Sequence, residues 1–212
     1  MTINAKICGL STPETLDAAV RAGASHVGFV FFPPSPRHLA RERAQQLAAR
    51  VPHHVARVGV FVDPDDALLD ASTSAGDLHI LQVHKTSPAR VAQIKARTGL
   101  PVWAAVAVKE RADLAAAATF AGAADRILYD AKTPPGAALP GGMGVRFDWT
   151  LLQGFRHPLR WALSGGLDPH NVAEAIRMTG AELVDVSSGV EGAPGEKDVA
   201  KVQAFLAAVQ AS

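Results

Sequence analysis

Eight short apolar segments, separated by longer amphipathic ones, constrain the fold of this chain more than any other feature. The apolar segments are rich in valine, isoleucine and phenylalanine. They lack strict polar alternation, which is typical of parallel strands that are covered on both faces. We therefore predict eight strands, at residues 5–8, 26–31, 56–62, 80–83, 102–106, 126–129, 160–163 and 183–186.

The amphipathic segments between these strands predict helices, and several have recognisable ends. Thr12 is a suitable N-cap, and Pro13 suits the first helical position. Gly99 follows a later helix, where its freedom to adopt positive φ ends helices. The predicted helices are 15–22, 41–50, 65–74, 88–98, 112–120, 171–178 and 198–209, with a short turn at 148–152.

Eight strand–helix units of about 25 residues each match a (β/α)8 barrel at the small end of its size range. A doubly wound open sheet has the same alternation. The count of eight and the glycine-rich loops late in the chain favour the barrel. Because no linker or change of composition divides the chain, we expect one α/β domain over 1–212, a single (β/α)8 TIM barrel. Segment 133–146, with three prolines and four glycines, is long for a connection and predicts a functional loop.

The charge and cysteine content exclude several classes of partner. The formal net charge is +1, from 21 basic and 20 acidic residues, which argues against a general grip on nucleic acid or a membrane. The single cysteine cannot form an internal disulfide or, by itself, a zinc cluster. The first residues lack the pattern of a signal peptide, and no apolar stretch is long enough to span a bilayer. We expect a cytoplasmic protein whose partner is a small molecule.

Glycine-rich loops follow the last two predicted strands. Glycines let a backbone approach a ligand closely, and free N–H groups bind anions. In these barrels, phosphate sites favour the loops after strands seven and eight. Two plain turns that need positive φ are the alternative, and the barrel fold favours phosphate. The predicted phosphate-binding residues are Gly165, Gly166, Ser188 and Gly189.

Four further side chains lie at predicted strand ends or in the following loops, where chemistry occurs in such barrels. Cys8 is a candidate base or nucleophile beside Lys6, although spacing alone favours a small core residue. Asp130 is a candidate proton donor, or else a residue that caps a turn or pairs with its neighbour. Arg37 suits a carboxylate clamp or an exposed surface position. His84 is either a site residue or a packed one.

Motifs in order along nearly the whole chain resemble one enzyme family, phosphoribosylanthranilate isomerase of tryptophan biosynthesis. The chain departs from its usual pattern at three positions: Lys85 replaces a glycine, Met143 a serine or threonine, and Tyr129 a leucine. The motifs that carry the resemblance are Lys6-Ile7-Cys8-Gly9-Leu10, Ser35-Pro36-Arg37, Leu128-Tyr129-Asp130-Ala131-Lys132, Gly141-Gly142-Met143-Gly144, Leu163-Ser164-Gly165-Gly166-Leu167 and Val184-Asp185-Val186-Ser187-Ser188-Gly189-Val190-Glu191.

The resemblance implies an Amadori rearrangement of N-(5-phosphoribosyl)anthranilate by general acid–base catalysis, with no cofactor and no metal. It implies that Asp130 is the acid and Cys8 the base. Arg37 matches the residue expected to hold the anthranilate carboxylate, and the two glycine-rich loops would hold the phosphate. We include His84 among the expected substrate-binding residues, and we expect a monomer or homodimer.

Two other readings stay open at this point. One is another sugar-phosphate barrel enzyme, such as indoleglycerol phosphate synthase or a ribulose-phosphate epimerase. The strand ends lack the lysine and glutamate set of the synthase, and His84 with Asp185 is too small a set for a metal-dependent epimerase. The other reading is a barrel that binds a phosphorylated ligand without turning it over. It predicts phosphate affinity that survives loss of Cys8.

Overall fold

A computed structural model describes residues 3–134, 136 and 141–212 of the chain. Eight parallel strands close into a barrel in chain order, and the first strand is hydrogen-bonded to both the second and the eighth. This closure confirms the predicted (β/α)8 barrel and excludes the open sheet. The strands are β1 Asn4–Cys8, β2 His26–Val30, β3 Ala56–Val62, β4 Ile80–His84, β5 Val102–Val108, β6 Arg126–Ala131, β7 Arg160–Leu163 and β8 Leu183–Val186.

Helices fill the connections between the strands. The Thr12 hydroxyl accepts a hydrogen bond from Thr15 N at 3.3 Å, and Pro13 is the first helical residue, as the sequence predicts. Gly99 ends its helix with φ +67°. The α-helices are α1 Pro13–Arg21, α2 Arg41–Ala48, α3 Asp66–Gly76, α4 Pro88–Thr98, α5 Val172–Thr179 and α6 Val199–Gln210.

In the part of the chain that the structure describes, three connections contain 3₁₀-helices, at Arg111–Phe120, Trp149–Leu152 and Ser188–Val190. The first occupies the segment predicted as an ordinary helix at 112–120. Its buried residues are Leu114, Ala117 and Phe120, three positions apart each time. A helix with three residues per turn puts such positions on one face, so the spacing of the apolar residues fits the 3₁₀ form.

The end of β6 differs from the prediction. The strand continues to Ala131, so Asp130 lies within it and opposite Ala107 of β5.

Tyr129 is fully buried, and its hydroxyl lies 3.2 Å from His157 Nδ1. Residues 135 and 137–140 of the predicted functional loop 133–146 lie outside the described residues.

A short antiparallel hairpin follows β8 and was absent from the prediction. It consists of β9 Glu191–Ala193 and β10 Glu196–Lys197. Strands of two or three residues carry too few side chains to show a period in the sequence. The hairpin matters because both of its ends contribute side chains to the site described below.

The lower part of the barrel interior is packed with apolar side chains. This interior cluster consists of Val58, Trp103, Leu128, Ala162 and Leu183. A larger core lies between the strands and the helices. The interior cluster fills the barrel toward the amino ends of the strands. Polar side chains lie at the carboxyl ends, where active sites of this fold are found. No helix within the described residues is long and apolar enough to cross a membrane.

Candidate active site

A cavity of about 550 Å³ opens at the carboxyl ends of the strands. Cys8, Arg37, His84 and Asp130 all line it, so the barrel brings together four side chains that are far apart in sequence. A second cavity of about 360 Å³ adjoins it and shares the Asp130 wall. Three of the predicted phosphate-binding residues line this second cavity, Gly165, Gly166 and Ser188. The two cavities together could hold an elongated molecule with different groups at its ends.

Cys8 ends β1 and faces the barrel interior beside the Lys6 side chain. It lies opposite Gly28 of β2, where a Cβ atom would come within 3.0 Å of the Cys8 sulfur. Glycine at this position therefore leaves room for the thiol. Burial raises the pKa of Cys8 above its ordinary value of 9.0, although the Lys6 ammonium acts to lower it. The thiol is therefore mostly protonated at neutral pH.

Asp130 is buried, and its Oδ1 atom accepts a hydrogen bond from Ala131 N at 2.8 Å. Burial, followed by the negative charge of Asp185, raises the pKa of Asp130 to about 7. The pairing with Lys132 that the sequence left open is wrong. Lys132 lies just beyond the end of β6, and its ammonium lies 3.1 Å from the carboxylate of Asp113 instead. Asp130 can therefore carry a proton near neutral pH.

Asp185 of β8 links the interior charges. Its Oδ1 atom lies 2.9 Å from Lys6 Nζ, and both side chains are buried. Its Oδ2 atom lies 3.5 Å from the Ser164 hydroxyl. Lys6 is therefore the ion-pair partner of this carboxylate. The pair places one positive and one negative group beside the acid and the thiol.

Arg37 is buried, so the alternative of an exposed surface arginine is wrong. Its Nε and Nη2 atoms lie 2.7 Å and 2.8 Å from the two carboxylate oxygens of Glu191. Nη2 also donates to the Gly142 carbonyl at 2.9 Å. Among the described residues, Nη1 has no hydrogen-bond partner. The guanidinium is therefore held along one edge, and Nη1 is left for a ligand.

His84 ends β4 and is buried in the cavity wall. Burial, with the nearby charges of Lys6 and Lys85, lowers the pKa of His84 to about 4, so the ring is neutral at pH 7. Its Nε2 atom lies 3.0 Å from Gln82 Nε2. Gln82 also lines the cavity, and its Oε1 atom has no partner among the described residues.

Gln82 is not among the site residues predicted from the sequence. The signal was available, because Gln82 stands two residues before His84 and therefore shares its face of the strand. A buried polar atom without a partner is costly unless a ligand or water satisfies it. Gln82 thus joins the residues that face a bound molecule.

The two glycine-rich loops meet beside Asp130. Gly165 has φ +86°, and a Cβ atom there would lie 2.6 Å from Ala131 N and 3.1 Å from Asp130 Oδ1. Only glycine allows this approach without displacing the strand that carries the acid. Gly189 does not line the cavity. It packs against the Leu167 backbone, so it lets the loops after β7 and β8 approach each other.

Glu191 and Lys197 from the β9–β10 hairpin complete the polar surroundings. They form a buried ion pair with each other, and Lys197 Nζ donates to the Ser187 carbonyl at 3.2 Å. Glu191 ends the last motif of the sequence, but the sequence predicted no contact for it or for Lys197. Within the described ranges, no group of three or more histidine, cysteine or acidic side chains is arranged to hold a metal ion.

The chain was compared with protein-family models, and residues 5–208 match the model for N-(5′-phosphoribosyl)anthranilate isomerase. The chain belongs to this family. It is therefore an enzyme of tryptophan biosynthesis that isomerises N-(5′-phosphoribosyl)anthranilate. The alternative enzyme readings and the reading as a binding protein without turnover are set aside by this result.

Curated relatives match the enzyme over its whole length. The N-(5′-phosphoribosyl)anthranilate isomerase of Zymomonas mobilis subsp. pomaceae is 54% identical over 213 residues, which cover 99% of each chain. That of Paramagnetospirillum magneticum is 50% identical over 211 residues, which cover 99% of this chain and 98% of the relative.

Solved structures of the family have the same fold as this enzyme. The crystal structure of the Thermotoga maritima isomerase superposes with a TM-score of 0.87 at 36% identity, covering 99% of this chain and 100% of that one. Another isomerase structure holds reduced 1-(o-carboxyphenylamino)-1-deoxyribulose 5-phosphate, with a TM-score of 0.85, 34% identity and the same coverage. A further Thermotoga maritima structure is of monomers generated from an isomerase that is described as dimeric.

Proposed function

We propose that Asp130 is the general acid and Cys8 the general base in the Amadori rearrangement by which this enzyme converts N-(5′-phosphoribosyl)anthranilate to 1-(2-carboxyphenylamino)-1-deoxyribulose 5-phosphate. One observation carries this proposal. A carboxyl group that stays protonated to about pH 7 and a thiol beside a buried ammonium line one cavity, between an arginine and two glycine-rich loops. Pairs of groups with opposite protonation tasks are characteristic of acid–base sites.

In the first step Asp130 donates its proton to the furanose ring oxygen. The bond between C1 and this oxygen breaks, and the lone pair of the anthranilate nitrogen forms a C=N bond. The products of this step are an open-chain iminium ion and the Asp130 carboxylate. A pKa of about 7 suits this donor, because general acids are most effective when their pKa lies near the working pH.

In the second step the Cys8 thiolate removes the proton from C2. The electrons of the C–H bond form a C1=C2 bond while the iminium electrons return to nitrogen, which gives an enolamine. The enolamine gains a proton at C1 and loses the C2 hydroxyl proton, which yields the ketone. C1 is reduced and C2 is oxidised within one molecule, so the reaction balances without an external redox partner.

The raised pKa of the Cys8 thiol fits this role once the iminium has formed. A positive charge next to a thiol favours the thiolate, and Lys6 already contributes one such charge. The iminium adds a second charge at the moment when the base is needed, and the thiol releases its proton to solvent as the thiolate forms. Cys8 is thus activated most strongly by the intermediate on which it acts.

Binding at both ends of the substrate would hold C2 near Cys8. Arg37 Nη1 would take the anthranilate carboxylate, and the amides of Gly165, Gly166 and Ser188, which line the second cavity, would take the phosphate. His84, as a neutral ring, and Gln82 would face the sugar hydroxyl groups. The relative that holds a reduced carboxyphenylamino sugar phosphate supports this arrangement, since that ligand carries both end groups. Fixing a substrate at two ends turns binding energy into rate.

The test follows loss of anthranilate-type fluorescence from freshly made substrate. We expect Cys8→Ala and Asp130→Asn each to lower kcat by several orders of magnitude while KM changes little, because only proton transfer is lost. Asp63→Asn, at an exposed aspartate after β3, is the matched control and should keep full activity. Near-normal kcat in either site variant would remove that residue from the mechanism.

Oligomeric state and location stay predictions from the sequence. The dimeric description of a Thermotoga maritima relative supports a homodimer without excluding a monomer here. Light scattering of the purified enzyme at several concentrations would decide between the two. A cytoplasmic location matches the need for reduced Cys8, since oxidation of the thiol would remove the base.

A further inference from the structure

Glu191 is the most heavily contacted carboxylate at the site. It is buried at the start of β9, and it accepts two hydrogen bonds from Arg37, at 2.7 Å and 2.8 Å. It also pairs with Lys197 and accepts from Gly195 N at 3.2 Å. Burial acts to raise the pKa of Glu191, but the hydrogen bonds from Arg37 and the charge of Lys197 bring it below its ordinary value. The carboxylate is therefore ionised.

The contact with Glu191 fixes which part of Arg37 can meet a substrate. The Nε and Nη2 edge of the guanidinium is occupied, and Nη2 is also bound to the Gly142 carbonyl. Gly142 lies against the other nitrogen, since a Cβ atom there would be 2.8 Å from Nη1. A paired arginine edge has one orientation, whereas an unpaired side chain samples many rotamers at an entropic cost to binding.

Glu191 also reaches toward the phosphate end of the site through Lys197. Lys197 Nζ donates to the Ser187 carbonyl at 3.2 Å and lies 3.4 Å from its hydroxyl. Ser187 directly precedes Ser188, which lines the second cavity. Glu191 therefore contacts Arg37, which would bind the substrate carboxylate, and also Lys197. Lys197 in turn holds the loop that would bind the substrate phosphate.

We propose that Glu191 is a positioning residue for specificity: it orients Arg37 toward the substrate carboxylate. This inference rests on the proposed function, in which Arg37 binds that carboxylate. A purely structural ion pair is the competing explanation. That explanation predicts that Glu191→Gln is less stable, but that its KM rises by the same factor for substrates with and without a carboxylate.

The experiment compares two substrates on purified full-length enzyme. One is phosphoribosylanthranilate, and the other is the analogue made from aniline, which lacks the carboxylate. In Glu191→Gln we expect KM for the natural substrate to rise about 10- to 100-fold, the effect of losing a hydrogen bond to a charged group, with kcat lowered less. KM for the analogue should change little. Glu196→Gln, an exposed glutamate in the same hairpin, is the matched control.

A double-mutant cycle with Arg37→Met tests the positioning role of Glu191 separately from the proposed binding of the substrate carboxylate by Arg37. If Glu191 acts through Arg37, Glu191→Gln should add little to the KM of Arg37→Met for the natural substrate. Equal losses for both substrates in Glu191→Gln would overturn the inference and leave Arg37 in its role. If Arg37→Met does not change the preference for the carboxylate, the proposed role of Arg37 fails first.

A second variant keeps the test decisive if Glu191→Gln folds poorly. Glu191→Asp keeps the charge but is shorter by one methylene group, so it cannot hold Arg37 and Lys197 in the present geometry. We expect it to lose much of the preference for the carboxylate-bearing substrate. Full preference in Glu191→Asp, together with its loss in Arg37→Met, would contradict the positioning role.

Discussion

Replacing Asp130 by asparagine should make the folded enzyme more stable above neutral pH while abolishing its activity. Asparagine is neutral and nearly isosteric, and its carbonyl oxygen can still accept the hydrogen bond from Ala131 N. The substitution therefore removes little except the ability to ionise. A carboxylate at this position is penalised by burial and by the charge of Asp185, and the amide is not.

The size of the effect follows from the raised pKa of Asp130. Between the ordinary value of 3.8 and the folded value of about 7, the unfolded chain has released this proton while the folded chain retains it. Folded enzyme then binds more protons, so stability falls as pH rises through this range. At about 1.4 kcal/mol per pH unit, the full penalty is about 4 kcal/mol above pH 7. The stability advantage of the variant should grow by about 2.5 kcal/mol between pH 5 and pH 8.

Urea unfolding of both proteins at pH 5 and pH 8, followed by tryptophan fluorescence and circular dichroism, measures this difference. Carboxylates remote from Asp130 contribute equally to both proteins and cancel in the comparison. Asp63→Asn, at an aspartate exposed to solvent, is measured alongside as the control for exchanging a carboxylate for an amide. If the Asp130→Asn advantage were constant across this range, Asp130 would ionise near its ordinary pKa, and the argument for it as general acid would fail.

Two further predictions concern pH and loop conformation. With the pKa of Asp130 at about 7 and that of Cys8 above 9.0, at most about one per cent of the free enzyme carries the productive pair, a neutral acid with a thiolate. The pH profile of kcat/KM should therefore rise to a plateau that begins near pH 7 and fall only above pH 9, and an acid limb near pH 4 would contradict both assignments. Lys85, which departs from the glycine of the family motif, has φ +52°, a region that costs a residue with a side chain about 1–2 kcal/mol. Glycine avoids this cost but loses more backbone entropy on folding, so Lys85→Gly should raise the free energy of unfolding by about 0.5–1 kcal/mol. A lower melting temperature would refute this.

Much of the site could be predicted because the strands are parallel. Their carboxyl ends converge at one end of the barrel, so Cys8 at the end of β1 and Asp130 near the end of β6 had to approach each other once eight strands closed. The period of two along a strand also predicted that Lys6 and Cys8 share a face, and both are buried inside the barrel. Local pattern and fold class were sufficient for these residues.

Contacts between distant charges could not be predicted in the same way. Arg37 binds Glu191, 154 positions away, and Lys6 binds Asp185, 179 positions away. The sequence left Arg37 open as a surface residue because nothing near it in the chain supplies a partner. The partner comes from a hairpin too short to show a period, and barrel closure brings it to the arginine.

The sequence by itself determined the order of strands and helices, the glycines of the last two loops and the chemical types of the proposed acid and base. Those features depend on local periodicity and on backbone freedom, which neighbouring residues control. Only the tertiary structure decided the protonation of Asp130, the orientation of Arg37 and the role open to Gln82. These properties depend on burial and on charges brought together from distant strands, and both arise only when the barrel closes and excludes water from its interior.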